Sequence, residues 1–516
     1  MYYFLNDNMQ AQKSGIEHAE IKRLMLFNKN NVAAKIVTRS FALDLHQVLA
    51  QANISTANFI NLFDFFNNTE QVDYQQVTVN DLKLPDDCSL QKNGHDYVVT
   101  QQDKRLMIIT TREPEFTDLK NIQYLEPNGK TVKMIWYDTR GFISLEQYFD
   151  WDGKIANEQY LGRDGVAHIQ KLHLLDRQGN EQNSWRILNY HGQDYSFNGM
   201  AELTRFFYDE LNQSDGGHNV FICDRTVELA WSLFHMETKA FKVLHLHNDH
   251  VNDPSDMQHS TLNSNYEHAL NNLGQWNAVI SATPQQTTDM VARFGEKVPE
   301  FTIPVGFVAN ETLNEPHVDW QTRTPQKLVE VARLAPEKQQ DQAIKAFEKV
   351  HQHYPKATLE FWGYSNGDTE EKLRKQVTEA GLTDSVKFMG YSENVSEIYN
   401  SAQIGLLPSR AEGFSLMLLE AQAHGLPLIA NDIKYGPADI IQDQKTGILT
   451  KNDDIDGLAE AILDLLSNPA KLMNFSEAAY DNSRRYSEDA VMAQWQLLIT
   501  EADRFYQQQQ TVAEVD

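Results

Sequence analysis

Between residues 327 and 407, short apolar runs and helix-forming segments alternate so closely that the chain has little choice of architecture. The pattern predicts strand 327–332, helix 339–352, strand 357–362, Gly363, helix 370–380, strand 385–389, helix 394–401 and strand 404–407. Strands separated by helices and short loops build a parallel sheet covered on both faces, a doubly wound domain. The same alternation opens the chain, with strand 2–5, loop 7–15, helix 16–29 and strand 33–38. It resumes with helix 200–211 and strands 220–224, 243–247 and 277–281, and residues 302–306 read as a linker into the second domain.

Between these α/β stretches the texture changes. Glycines 141, 153, 165 and 179 fall 12, 12 and 14 residues apart, each in a turn signal such as Asp152-Gly153 or Asp164-Gly165. Runs such as Tyr97-Val98-Val99-Thr100 alternate apolar with polar residues between them. That is hairpin spacing for an antiparallel meander, and a propeller would need a longer repeat. The expectation is an α/β protein with two Rossmann-like domains and one inserted antiparallel sheet. The first domain takes residues 1–72 and 198–304, the insertion 73–197, the second domain 305–484, and a final helix and polar tail 485–516.

Composition excludes some functions. A chain with 41% hydrophobic and 10% aromatic residues is not disordered, and 72 acidic against 45 basic residues, net −27, argues against a nucleic-acid binder. Cys88 and Cys223 have neither disulfide-framework nor metal-type spacing and fit a reducing compartment. No signal peptide is evident, and no stretch approaches the roughly 18 apolar residues of a membrane span. A cytoplasmic protein is expected, with peripheral association at the inner face of the membrane left open.

The chemistry concentrates in Pro408-Ser409-Arg410-Ala411-Glu412-Gly413-Phe414-Ser415-Leu416-Met417-Leu418-Leu419-Glu420, a glycine-containing loop between a strand and a helix. A loop entering a helix N-terminus offers free N–H groups and a positive dipole end to a diphosphate. Carboxylates beside it, here Glu412 and Glu420, suit sugar and ribose hydroxyls. The plainer alternative is a helix with one Glu near its start and another on an exposed turn. Arg333 and Lys338, in Ala332-Arg333-Leu334-Ala335-Pro336-Glu337-Lys338, could clamp the same diphosphate. Gly15, at a loop-to-helix junction, either admits a ligand to the backbone or is a simple turn residue. Gly363 and Tyr391 follow strands on the rim where such sheets hold ligands; Tyr391 stacks on a base or is a core aromatic. His245, His247 and His250 crowd a strand end, but their spacing does not put two ligands on one helical face and no Cys is near, so no metal is expected.

The Glu412–Glu420 run resembles the E-x7-E motif of retaining glycosyltransferases of family four, which have the GT-B fold, and Arg333 with Lys338 resembles their diphosphate clamp. Ser14-Gly15-Ile16-Glu17-His18-Ala19, Tyr137-Asp138-Thr139-Arg140-Gly141-Phe142 and Asp432-Ile433-Lys434-Tyr435-Gly436-Pro437 resemble a subgroup that glycosylates bacterial surface polymers. These are the wall teichoic acid glycosyltransferases and the glycosyltransferases of serine-rich surface proteins. The resemblance implies a retaining UDP-sugar-dependent hexosyltransferase, without a metal or other cofactor, moving glucose or N-acetylglucosamine. Poly(glycerol-phosphate) wall teichoic acid stands first as acceptor and serine-rich protein second. It implies catalytic roles for Arg333, Lys338 and Glu412, and a histidine beside the sugar, His245 ahead of His247, with His250 set aside. Donor binding falls to Gly15, Gly363, Tyr391, Gly413, Phe414, Ser415, Leu416 and Glu420. The last helix is implied to cross back to the first domain, and the inserted sheet to carry self-association or acceptor binding. A non-catalytic acceptor-binding subunit is the competing class, and it would be expected to lose the clamp and the paired glutamates. A phosphorylase-like use of the fold would need a pyridoxal lysine, for which no motif is present.

Overall fold

The computed structural model describes residues 1–114, 118–365 and 367–513. The chain divides into two compact units: Met1–Ala11, Ala34–Asn219 and Glu228–Ala240 form the first, and Gln12–Ala33, Val220–Val227 and the chain from Phe241 onward form the second.

In the first unit, strands Tyr2–Asn6, Ala34–Thr38 and Phe59–Asn61 pair in parallel, with Phe4 opposite Ile36 and Ile36 opposite Phe59. Every residue of the first strand is buried, as parallel strands covered on both faces require. The rest is dominated by a ten-stranded antiparallel sheet running in chain order from Ser89–Asn93 to Gln193–Phe197. The sheet is the single meander that the glycine spacing predicts. Its turns repeat one chemistry: Gly153 N–H donates to the Asp150 carbonyl and Gly179 N–H to that of Asp176, each glycine at positive φ. The Asp150 and Asp176 carboxylates each accept two further backbone N–H groups, so the side chain closes the loop. One region of the sheet packs a cluster of Val99, Ile109, Leu119, Ile122 and Ile135.

Arg140 fastens this sheet to helix Leu62–Asn67. Its guanidinium donates to both oxygens of Asp138 at 2.8 and 2.9 Å, to the Thr69 carbonyl at 2.5 Å and to Asp64 at 3.4 Å. The adjoining Gly141 has φ +90°, and a Cβ there would lie 1.7 Å from the Gln75 carbonyl oxygen, so the turn admits only glycine.

The second unit holds strands Val220–Cys223, Phe241–His245, Ala278–Ser281 and Glu300–Thr302, paired successively in parallel. It also holds a six-stranded parallel sheet in the order Val386–Gly390, Thr358–Trp362, Lys327–Val331, Ile404–Leu407, Leu428–Asn431, Gly447–Thr450. Numbered along the chain that order is 3-2-1-4-5-6, and its direction reverses between Lys327–Val331 and Ile404–Leu407. Open α/β sheets bind ligands beyond the carboxyl ends of the strands at such a reversal. Helix Glu488–Ala513 returns to helix Gly15–Lys29, where Trp495 meets Phe27 edge-on at 5.2 Å, and to Phe241, whose N–H donates to the Tyr506 hydroxyl at 3.0 Å. Residues 514–516 of the expected tail lie outside the described residues.

Candidate functional site

The loops leaving the two strands at the reversal meet. After Lys327–Val331 the chain makes a tight turn, Pro336–Lys338, and Lys338 Nζ lies 2.6 Å from Glu412 Oε1, both groups largely buried. Glu412 sits in the loop between strand Ile404–Leu407 and helix Leu416–Ala423, and that loop is tied down at several points. Arg410 N–H donates to the Glu337 carbonyl, Asn431 Nδ2 to the Pro408 carbonyl and Tyr435 N–H to the Glu412 carbonyl. Gly413 runs over the backbone of His247: a Cβ there would stand 2.1 Å from the His247 carbonyl oxygen. Ser415, the residue before the helix, has φ +78°, a left-handed conformation that an L-residue holds only when its surroundings enforce it.

The remaining donor-side residues take distinct places. Arg333 is part-exposed and pairs with Glu337 at 2.7 Å. Glu420, on the helix, is held by Lys22 of helix Gly15–Lys29 at 3.2 Å. The Phe414 side chain is buried against Tyr486, and its carbonyl oxygen lies 2.0 Å from where a Cβ on Gly436 would stand. Leu416 packs where a side chain on Gly306 would lie. Gly15 is exposed with nothing within 4 Å of a Cβ, an open surface at the head of its helix. Gly363 answers to the backbone: φ is +152°, and a Cβ would be 2.0 Å from the Ala332 carbonyl oxygen. Tyr391 is half-buried on the rim, 6.0 Å from Tyr364 and with its hydroxyl 3.3 Å from His18 Nε2.

The three histidines separate. His245 and His247 both reach Asp224, at 3.0 and 2.6 Å. His250 is buried in ring contact with Tyr435 and Phe294, neither of its nitrogens has a partner among the described residues, and burial pulls it down to about 4. Asp224, Arg23, Asp249 and Glu330 are additions that the sequence reading missed. Burial pushes Asp249 up to about 8, the Glu412 charge adding to the shift, and burial pushes Glu330 to about 8 as well. Both therefore stay protonated at neutral pH around a charged lysine–glutamate pair. Asp224, directly after a strand, and Asp249, between His247 and His250, occupy strand-end positions that could have flagged them.

Taken together, a buried cation, a tied-down glycine loop and a helix N-terminus converge where a phosphorylated ligand would sit. Residues 318–482 match the family model "Glycosyl transferases group 1", and residues 5–261 match the model of an accessory Sec system protein. The chain is 25% identical over 97% of its length, and 98% of the relative's, to the "UDP-N-acetylglucosamine--peptide N-acetylglucosaminyltransferase GtfA subunit" of Streptococcus gordonii. It is 21% identical to the "Poly(glycerol-phosphate) alpha-glucosyltransferase" of Bacillus subtilis, over 96% of this chain and 74% of that one. The pneumococcal O-GlcNAc transferase GtfA, solved in complex with UDP and GlcNAc, superposes with TM-score 0.83 at 22% identity, covering 97% of this chain and 98% of that one. That likeness shows the fold, two-domain GT-B with an antiparallel sheet.

Proposed function

We propose that this chain, which carries a glycosyl transferases group 1 domain on a GT-B fold, moves N-acetylglucosamine or glucose from its UDP-sugar to a hydroxyl of a bacterial cell-surface acceptor with retention of configuration. The Lys338–Glu412 pair at the strand reversal carries the reading. Lys338, Arg333 and the N–H groups of Gly413, Phe414 and Ser415 bind the diphosphate, Glu412 accepts hydrogen bonds from the sugar hydroxyls, and Glu420 exchanges Lys22 for the ribose. As the bond between the anomeric carbon and the diphosphate oxygen breaks, negative charge grows on UDP, where the two cations stabilise it without a metal. The acceptor oxygen bonds to the same face of the anomeric carbon, and its proton passes to the departing phosphate oxygen.

The acceptor follows from charge and length. A chain of net charge −27 repels a poly(glycerol-phosphate) strand, whereas a serine-rich protein meets no such penalty. The end-to-end match to GtfA subunits points the same way, so serine-rich protein stands ahead of teichoic acid. Among the described residues no helix is long and apolar enough to cross a membrane, and action at the cytoplasmic face, before export, fits the reading. Self-association through the ten-stranded sheet belongs to it too, since strand Ser89–Asn93 is exposed along its length and exposed edges invite pairing. The match to the accessory Sec system model favours one competing reading, a subunit that binds acceptor without turnover.

UDP release, measured with UDP-glucose and UDP-GlcNAc, with and without EDTA, and with a serine-rich peptide or poly(glycerol-phosphate), tests all of this. Release that survives chelation and rises with the peptide is expected, and the product's anomeric proton should be equatorial, as in an α-glycoside. No release from any UDP-sugar would leave the binding subunit as the answer.

A further inference from the structure

Four polar side chains meet behind the loop that carries Glu412. Asp224 is buried, and burial by itself would raise its carboxyl; the Arg23 guanidinium and the two histidines more than offset that and hold it well below the usual range. Arg23, from helix Gly15–Lys29, places Nη2 2.5 Å from Asp224 Oδ2 and Nη1 3.2 Å from Oδ1. His245 Nδ1 is 2.8 Å from Arg23 Nη1 and 3.0 Å from Asp224 Oδ1, and His247 Nε2 is 2.6 Å from the same Oδ1.

Donor and acceptor rules fix who carries which proton. A guanidinium only donates and an ionised carboxylate only accepts. His247 therefore donates from Nε2, and in its neutral form Nδ1 is a bare nitrogen with a lone pair. Nδ1 has no partner among the described residues and is not one of the buried unpartnered atoms, so it keeps some exposure on a side chain that is 5% exposed. His245, pulled down to about 3 chiefly by burial, is neutral. The ligand atoms of Asp224, His245 and His247 lie within 4.8 Å of one another, close enough to share a metal ion. Arg23 supplies the cation there instead, and the Arg23–Asp224 pair balances its own charge in the interior. His247 is also where the Glu412 loop rests, since its carbonyl lies under Gly413.

We propose that Asp224 is a positioning residue for sugar transfer: it holds neutral His247 with the proton on Nε2, so that Nδ1 stands beside the Glu412 loop as an acceptor for a hydroxyl of the transferred sugar. The role rests on the UDP-sugar reading above. An Nδ1 acceptor selects for a hydroxyl donor at that point and against a bare oxygen or a second acceptor. Asp224 touches no substrate and acts only through the imidazole.

Nitrogen-15 spectra of histidine-labelled protein at pH 8, with the His247 signals assigned by their loss in His247→Gln, read the tautomer without any donor present. The wild-type spectrum should show a protonated Nε2 and a bare Nδ1; a His247 protonated on Nδ1 overturns the proposal with no variant needed. In Asp224→Asn the His247 signals should move toward a mixture of tautomers, and kcat for UDP-sugar turnover should fall about ten- to a hundredfold with KM changed far less. The single variant strands the Arg23 charge, so the Asp224→Asn/Arg23→Gln double variant, which removes the ion pair as a unit, is measured beside it and should show the same two changes. A folded variant with wild-type kcat, or with lowered kcat and an unchanged tautomer, overturns the assignment. Wild-type protein without UDP-sugar turnover defeats the functional reading and the role in transfer, whereas the tautomer spectrum still reports whether Asp224 orients His247.

Discussion

In the antiparallel sheet every strand pairs with the strand before it in the chain, whereas the six-stranded sheet reverses direction between Lys327–Val331 and Ile404–Leu407. The first arrangement is built from local hairpins, and a turn needs only the right glycine and an aspartate to close it. The second requires crossovers, buries both faces of its strands, and leaves one place where neighbouring loops part in opposite directions. Lys338 and Glu412 lie 74 residues apart in sequence and 2.6 Å apart in space because of that reversal. Chemistry gathers at the parallel sheet, while the meander supplies surface and edges.

Two substitutions should break the units separately. Arg140→Ala leaves the buried carboxylates of Asp138 and Asp64 without their cation, and removing one partner of a buried pair costs about 3–5 kcal/mol. Urea unfolding of this variant should show the loss, with UDP-sugar hydrolysis by the still-folded protein retained. Lost hydrolysis at full folding would mean that the meander takes part in the chemistry. Lys338→Ala should lower turnover by about 100- to 1,000-fold, the scale of one preorganised transition-state contact; because it strands the largely buried Glu412 carboxylate it should also cost stability, so turnover is measured on the still-folded protein. Near-normal kcat in that variant would remove Lys338 from the site.

A smaller effect sharpens the contrast from the side of pH. Glu330 ends up almost fully buried beneath the Lys338–Glu412 pair, and burial, with the Glu412 charge adding, pushes it up to about 8. Unfolded, the same carboxyl ionises near 4.3. Between those values the folded chain binds more protons than the unfolded one, so stability falls as pH rises from about 4 to about 8. Asp249, also at about 8, adds to the same slope. Relative to its value at pH 5, the stability of Glu330→Gln against wild type should rise by about 4 kcal/mol by pH 8.5, read as a flatter dependence of the urea midpoint on pH. An unchanged slope would place the Glu330 proton elsewhere.

The two regions were also unequally legible. Glycine spacing exposed the meander because each hairpin is written within a dozen residues, and the β/α alternation exposed the parallel sheet for the same local reason. Lys338, Glu412 and Glu420 were singled out because their stretches carry a recognisable spacing. Arg333, read with Lys338 as a clamp on one diphosphate, pairs in the structure with Glu337, four residues on. Asp224 and Arg23 were invisible for a different reason. They lie 201 residues apart, neither belongs to a motif, and only the packing of helix Gly15–Lys29 against the strand ends makes them partners. Asp249 and Glu330 carry no mark in the sequence, and it is burial that assigns them a proton.

The smallest expected effects compare two glycines, one from each region. Gly153 has φ +80° in a hairpin turn with nothing within 4 Å of a Cβ. Gly153→Ala meets only the left-handed backbone penalty, about 1 kcal/mol, and turnover should stay at the wild-type level. Gly413 shows no such φ, but its Cβ would collide with the His247 carbonyl oxygen at 2.1 Å and carbon at 2.4 Å. Backbone cannot rotate aside as a side chain does, so Gly413→Ala has to lift the Glu412 loop, at a cost of about 1–3 kcal/mol. Because Glu412 rides on that loop and meets Lys338 from it, kcat should fall at least about tenfold, as a displacement of roughly 1 Å at a reacting centre can cost more than its stability effect implies. Stability and turnover measured on both variants decide the matter. If Gly153→Ala slowed turnover, or Gly413→Ala kept it, the division between a scaffolding meander and a catalytic parallel sheet would fail at the two positions where it is most simply stated.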